Sequence, residues 1–185
     1  GQLASITKRP SGVIGTLGSF PKNDLKVRVN NTTPDAITIQ STLADWRDLN
    51  IELVALEVSS HALDQGRVDG TEIDTGVFTN LSPDHLDFHG NMERYFISKL
   101  KLFTGLSNTK TAVINIDDPY SDRICSATSA KIITYGINQK ATLHPIQSNF
   151  SLDGTEARMQ YGKIEFIINR CLYLKSIIYF YTIKK

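Results

Sequence analysis

Cysteine is nearly absent: Cys125 and Cys171 are the two in 185 residues. That is too few for the disulfide framework of a small secreted domain, so they read as idle thiols in a reducing cytosol. Net charge is missing as well. Twenty Lys and Arg against 19 Asp and Glu leave +1, which gives no electrostatic case for nucleic acid or an anionic membrane as the main partner. The opening GQLASITKRPSGVIGTLGS has no continuous apolar stretch after its basic pair and is not a signal peptide. It also lacks a leading methionine, so the chain reads as starting in mid-protein. A membrane span needs about 20 mostly uncharged residues. The apolar C-terminal stretch IEFIINRCLYLKSIIYFYTIKK is interrupted by Arg170 and Lys175, which argues against one. Neither a G-x-S-x-G elbow nor an H-E-x-x-H pair occurs, so the sequence offers no serine-hydrolase elbow and no zinc-protease helix.

What is present is globular: 41% hydrophobic and 21% charged residues, enough to bury one core. Val13–Leu17, IELVALEV, TGVFTNL, TAVINIDD and AKIITYGI are apolar runs that read as buried strands. LKVRVN alternates like a half-exposed hairpin strand after a PKND turn. Between them, Thr32-Thr33-Pro34-Asp35 reads as a helix start with threonine as the cap. The helix that follows places Ile37, Leu43, Trp46 and Leu49 near one face, with Asn50 at its end. SSHALDQGRV reads as a loop with a short helix, and residues 91–106 as a longer helix. Strands alternating with helices predict an α/β fold with a mostly parallel sheet flanked by helices.

Ligands in such sheets sit beyond the carboxyl ends of the strands. Two strands break there into acids, histidines and hydroxyls: LVALEVSSHALDQGRVDG and VFTNLSPDHLDFHG. Glu57 closes one buried strand, and a carboxylate there must be paired, hydrogen-bonded or metal-bound. His85 emerges after the next strand, and the two could hold a divalent cation; a salt-bridged glutamate and a helix-capping histidine fit the spacing as well. His85 and His89, four apart, could share a helix face. Gln65 and Arg67 could reach an anionic substrate through paired donors, or belong to a solvated loop. Lys99 and Lys101 lie on a packed helix, where a lysine is ordinarily a snorkelling surface residue.

The runs GVIGTLGS, NTTPDAITIQ, EVSSHALDQGRVDGT, VFTNLSPDHLDFHGNMERYFISKLKLF and VINIDD together resemble the central domain of the Mur ligases. The match is closest to the branch adding the third stem-peptide residue. The likeness covers residues 12 to about 150. It implies a P-loop-NTPase-like fold and a cytoplasmic, monomeric ATP-dependent ligase of peptidoglycan synthesis. That enzyme adds meso-diaminopimelate or L-lysine to UDP-N-acetylmuramoyl-L-Ala-D-Glu through an acyl phosphate. The cofactors implied are ATP and Mg²⁺. The partners implied are the muramoyl dipeptide nucleotide and an amino acid, with no nucleic acid and no membrane. Glu57 and His85 match the metal ligands. Lys99 matches a lysine carbamylated by carbon dioxide, which turns a cation into an anionic metal-bridging group. Asn31, Thr32, Thr33, Ser59, Gln65 and Arg67 match the residues that hold the muramoyl dipeptide.

The family's G-K-T phosphate loop should lie just upstream of GQLASITKRP and is not in this chain. Residues 1–150 are therefore read as a partial central domain without its phosphate loop, and 151–185 as a degraded or frameshifted end. The expectation is that the chain alone is catalytically dead. Two other readings use the same residues: a non-catalytic remnant that binds the muramoyl nucleotide or a partner, and a fragment of the folate-glutamylating sister ligase.

Overall fold

A computed structural model describes residues 9–21, 31–151, 154–170 and 181–182. The LKVRVN strand and most of the PKND turn lie outside the described residues, as does the tail after 170 apart from Tyr181–Thr182.

β1 (Ser11–Gly15) and β3 (Leu53–Leu56) pair in parallel, Ile14 opposite Leu56. β2 (Gly18–Phe20) folds back on β1 as a hairpin, and Tyr181–Thr182 (β10) lies antiparallel to β3. A second sheet begins with three parallel strands, β4 (Thr75–Phe78), β5 (Thr111–Asn115) and β6 (Lys131–Tyr135). It continues through β7 (Leu143–Ser151), β8 (Gly154–Tyr161) and β9 (Ile164–Arg170), which form an antiparallel meander. The expected α/β architecture is present, with mostly parallel pairing in the part that carries the polar strand ends.

α1 (Ala36–Asp48) departs from expectation at both its start and its face. Its cap is Asp35, whose carboxylate accepts from Thr38 N at 2.9 Å and Thr38 Oγ1 at 2.7 Å. A charged oxygen is the better acceptor for the free amides of a first turn, and Thr33 is engaged elsewhere. With the helix opening at Ala36, the inward stripe is Ile39, Thr42, Leu43 and Trp46. Ile37 is 83% exposed and Leu49 62% exposed: Ile37 falls about 200° around the axis from Ile39 at 100° per residue. Asn50 does end the helix, in the left-handed region that asparagine tolerates (φ 56).

α2 (Ser60–Asp64), α3 (Leu86–His89) and α4 (Met92–Thr104) follow the strand ends, and α5 (Ser121–Ala127) precedes β6. α4 buries Tyr95, Phe96, Ser98, Leu102 and Phe103, at i, i+1, i+3, i+7 and i+8, one face of a helix lying on a core. Trp46 anchors the other end of that core, and its ring lies where any side chain on Gly12 would be. No helix among the described residues is long and apolar enough to cross a membrane.

Beneath this frame Lys110, at 12% side-chain exposure, holds Glu72 at 2.6 Å and Asp74 at 2.5 Å. Hydrogen bonds to Asp74 and Glu72 raise its pKa above the ordinary 10.5. Burial pushes the Tyr135 phenol from 10.0 to about 12. Both groups hold their protons more tightly folded than unfolded. Their contribution is complete below the unfolded pKa values and is lost as pH rises through the folded ones. We therefore expect stability to fall from pH 10 towards about 12. Urea midpoints across that range should fall less steeply in the double variant Lys110→Met, Tyr135→Phe.

Candidate active site

β1 and β3 end side by side, and their first polar residues meet there. Glu57 Oε2 accepts from Thr16 N at 2.9 Å and Thr16 Oγ1 at 3.0 Å. The carboxylate can lie this close because Gly15 has no side chain: a Cβ there would stand 2.8 Å from Oε2. Thr16 Oγ1 in turn lies 3.2 Å from Thr32 Oγ1. Glu57 is thus partly satisfied by hydrogen bonds, one of the outcomes that a strand-end carboxylate requires.

Thr33 is fully buried, and its hydroxyl stitches two segments together. It donates to Glu57 O at 2.8 Å and accepts from Ser59 N at 2.9 Å. Ser59 caps α2, accepting from Ala62 N at 3.2 Å. Arg67 closes the group, donating to Thr33 O and to Gln65 Oε1, both at 2.8 Å. Thr32, Thr33, Ser59, Gln65 and Arg67 therefore form one constellation, and Asn31 lies exposed on the bend beside it.

The second polar switch follows β4. Asp118, on the turn after β5, is buried and accepts from Leu81 N at 2.7 Å and Tyr120 N at 2.9 Å, tying down the start of the loop that carries His85. Asp118, which closes the TAVINIDD run, thereby reaches a neighbouring strand end. His85 adopts a left-handed backbone (φ 53), exposed, with its amide on Asp84 Oδ1 at 2.8 Å. It stands at the N-cap of α3, whereas His89 at the other end is buried, so the two do not share a face. The His85 ring stands edge-on to His61 (4.9 Å) and Tyr95 (6.2 Å).

Lys99 joins this group from α4, its Nζ 5.3 Å from the Tyr95 ring centroid. Burial drives its pKa below the usual lysine value, while Asp84 and then Glu57 pull it upward. Such a lysine has more neutral amine at a given pH than an exposed one. Lys101, two residues on, faces elsewhere and pairs with Asp64.

Among the described residues no three His, Cys, Asp or Glu side chains are arranged to hold a metal ion. Mg²⁺ makes a smaller demand, one or two carboxylates together with waters and substrate phosphates. Glu57 supplies one carboxylate, and a carbamate on Lys99 would supply the second, so the residues fit such an ion.

Sequence reasoning did not single out Thr16, Asp84, Tyr95, Asp64 or Ser98. Only Ser98, a polar residue on the apolar stripe of α4, carried a readable signal.

The family profile described as the Mur ligase middle domain matches residues 2–171. The chain is 44% identical over 151 residues to the UDP-N-acetylmuramoyl-L-alanyl-D-glutamate–2,6-diaminopimelate ligase of Geobacter metallireducens, covering 78% of this chain and 29% of that one. It is 47% identical over 147 residues to the ligase of the same name from Listeria monocytogenes, covering 76% and 30%. A solved structure of a ligase of that name superposes with TM-score 0.78 at 32% identity, over 90% of this chain and 34% of the other. The chain thus spans about a third of the length of the curated relatives it matches.

Proposed function

This chain belongs to the Mur ligase family through its middle domain, and from that premise we propose that it is the catalytic-core portion of a peptidoglycan tripeptide ligase. The reaction is ATP-dependent addition of 2,6-diaminopimelate to UDP-N-acetylmuramoyl-L-Ala-D-Glu, in the cytoplasm. The substrate carboxylate attacks the ATP γ-phosphorus, and the bond to the β-phosphate oxygen breaks to release ADP. The amine then attacks the acyl phosphate carbon, releasing inorganic phosphate and a proton. One observation supports the reading: the Glu57–Thr16 pair and the Thr33–Ser59–Arg67 group gather just beyond the end of β3, the side of a parallel sheet on which ligands ordinarily bind, with Lys99 reaching toward them from α4.

Glu57, His85 and the carbamate of Lys99 would hold Mg²⁺, which when bound offsets charge built up in phosphoryl transfer. Thr16 orients the Glu57 carboxylate by two hydrogen bonds and so selects which oxygen turns outward. Arg67, fixed by Thr33 O and Gln65, offers its remaining guanidinium donors to an anionic substrate. Asn31, Thr32 and Ser59 line the same approach. At Lys99 the neutral amine attacks the carbon of CO₂. A C–N bond forms as one C=O π bond opens to a carboxylate, and the surplus amine proton passes to solvent.

Exposure of the chain to ¹³C-bicarbonate should give a carbamate resonance in its ¹³C spectrum, lost in Lys99→Arg. A wild-type spectrum without that resonance, or one unchanged by Lys99→Arg, defeats this assignment of Lys99.

A further inference from the structure

We propose that Asp64 and His89 are positioning residues for Lys99: they lock α4 against α2 in the one rotation that turns the lysine toward Glu57. This rests on the reading of Lys99 given above.

Asp64, the last residue of α2, grips α4 at two points. Its Oδ2 accepts from Ser98 Oγ at 2.9 Å and its Oδ1 from Lys101 Nζ at 2.5 Å. Residues three apart on a helix are neighbours on its surface, so one carboxylate held at both fixes rotation and axial position together. Rotation matters because adjacent helical residues diverge by about 100°. Lys99 lies between the gripped residues in sequence, and a turn of α4 by even part of that angle would swing its amine away from Glu57 and Asp84. Apolar contacts resist such rolling weakly, since neighbouring apolar residues can replace one another at an interface. Directional hydrogen bonds cannot be exchanged in this way.

His89 completes the lock from the third side. It is 4% exposed, its Nε2 lies 2.8 Å from Ser60 Oγ, and its Nδ1 lies 3.4 Å from Ser98 Oγ and 3.6 Å from Asp64 Oδ2. Ser60, itself buried, is the first residue of α2 and follows Ser59 directly. The ring stacks on Tyr95 (5.0 Å between centroids, 25°), one turn before Lys99 on α4. The polar lock therefore joins the substrate-facing start of α2 to the helix that presents the lysine. None of these groups needs to touch substrate.

Carbamate occupancy of Lys99, read by ¹³C NMR at fixed bicarbonate and well below the melting temperature, tests the proposal. Asp64→Ala and His89→Ala should each lower occupancy at least fivefold. The shape-conserving Asp64→Asn and His89→Gln should return it to within about twofold of wild type. A purely structural role would lower the melting temperature of the alanine variants and leave occupancy of the folded chain unchanged, and that result overturns the proposal. If circular dichroism shows the alanine variants unfolded, Ser60→Ala decides, because it removes a single hydroxyl from His89. A drop of twofold or more then supports the lock, and unchanged occupancy overturns it. Absence of carbamate in the wild-type chain would instead fail the underlying reading of Lys99, a distinct outcome.

Discussion

Truncation of Trp46 to alanine should cost about 3–5 kcal/mol, the range for deleting a large aromatic from a core. Trp46 is 0% exposed and heads the fully buried side chains by size. Its ring fills the space over Gly12 so closely that a Cβ there would stand 2.3 Å from Cζ3. The strand at Gly12 cannot relax inward to close the cavity without leaving its pairing with Val54. Since whole domains are stable by only about 5–15 kcal/mol, the variant should lose a large fraction of its margin and melt at a clearly lower temperature. One offset applies: among the described residues the buried indole Nε1 finds no hydrogen-bond partner, so Trp46→Phe should lose far less than Trp46→Ala. Urea denaturation of both variants checks this. Equal losses would show that the ring volume is not what matters.

Arg67→Ala should weaken binding of UDP-N-acetylmuramoyl-L-Ala-D-Glu by roughly ten- to a hundredfold, since hydrogen bonds to a charged group contribute about 1.5–3 kcal/mol. Two effects combine. The guanidinium itself is lost, and the Thr33 carbonyl and Gln65 side chain lose the donor that aligns them. Arg67→Lys should rescue poorly, because an ammonium cannot span both acceptors with the fixed fork of a guanidinium. Isothermal calorimetry on the three chains reads the effect. Wild-type affinity in Arg67→Ala would remove Arg67 from the substrate site. Thr33→Val makes a useful contrast: it should cost stability as well, because Thr33 Oγ1 serves both Glu57 O and Ser59 N in a fully buried position.

How far the site could be read in advance differs residue by residue. Glu57 was legible because a carboxylate closing an apolar run that reads as a buried strand has few tolerable environments. Its actual anchor, Thr16, was not, because the two are 41 residues apart. The cap of α1 shows the same limit at short range: Thr32, Thr33 and Asp35 are all capping residues by type. Only the pull of Ser59 and Glu57 on Thr33 leaves the role to Asp35. Placing Ile37 on the inner face was an error of pattern, since at 100° per residue it stands about 180° from Trp46 wherever the helix starts, and Leu49 lies past the last helical turn as the C-cap.

From sequence alone the apolar runs and their punctuation determined where β1, β3 to β6, α1, α2 and α4 lie, since side-chain period and local backbone preference act over a few residues; the β7–β9 meander and α5 were not read there. Family membership was readable for the same reason: a long ordered series of short motifs is a local property. Tertiary structure alone decided which polar residues are anchors and which are left facing the site. Asp64 grips Ser98 and Lys101 from 34 and 37 residues away, and Asp118 holds Leu81 from 37. Hydrogen bonds are directional and short, so a polar side chain acquires its role only when the fold delivers a partner within about 3 Å.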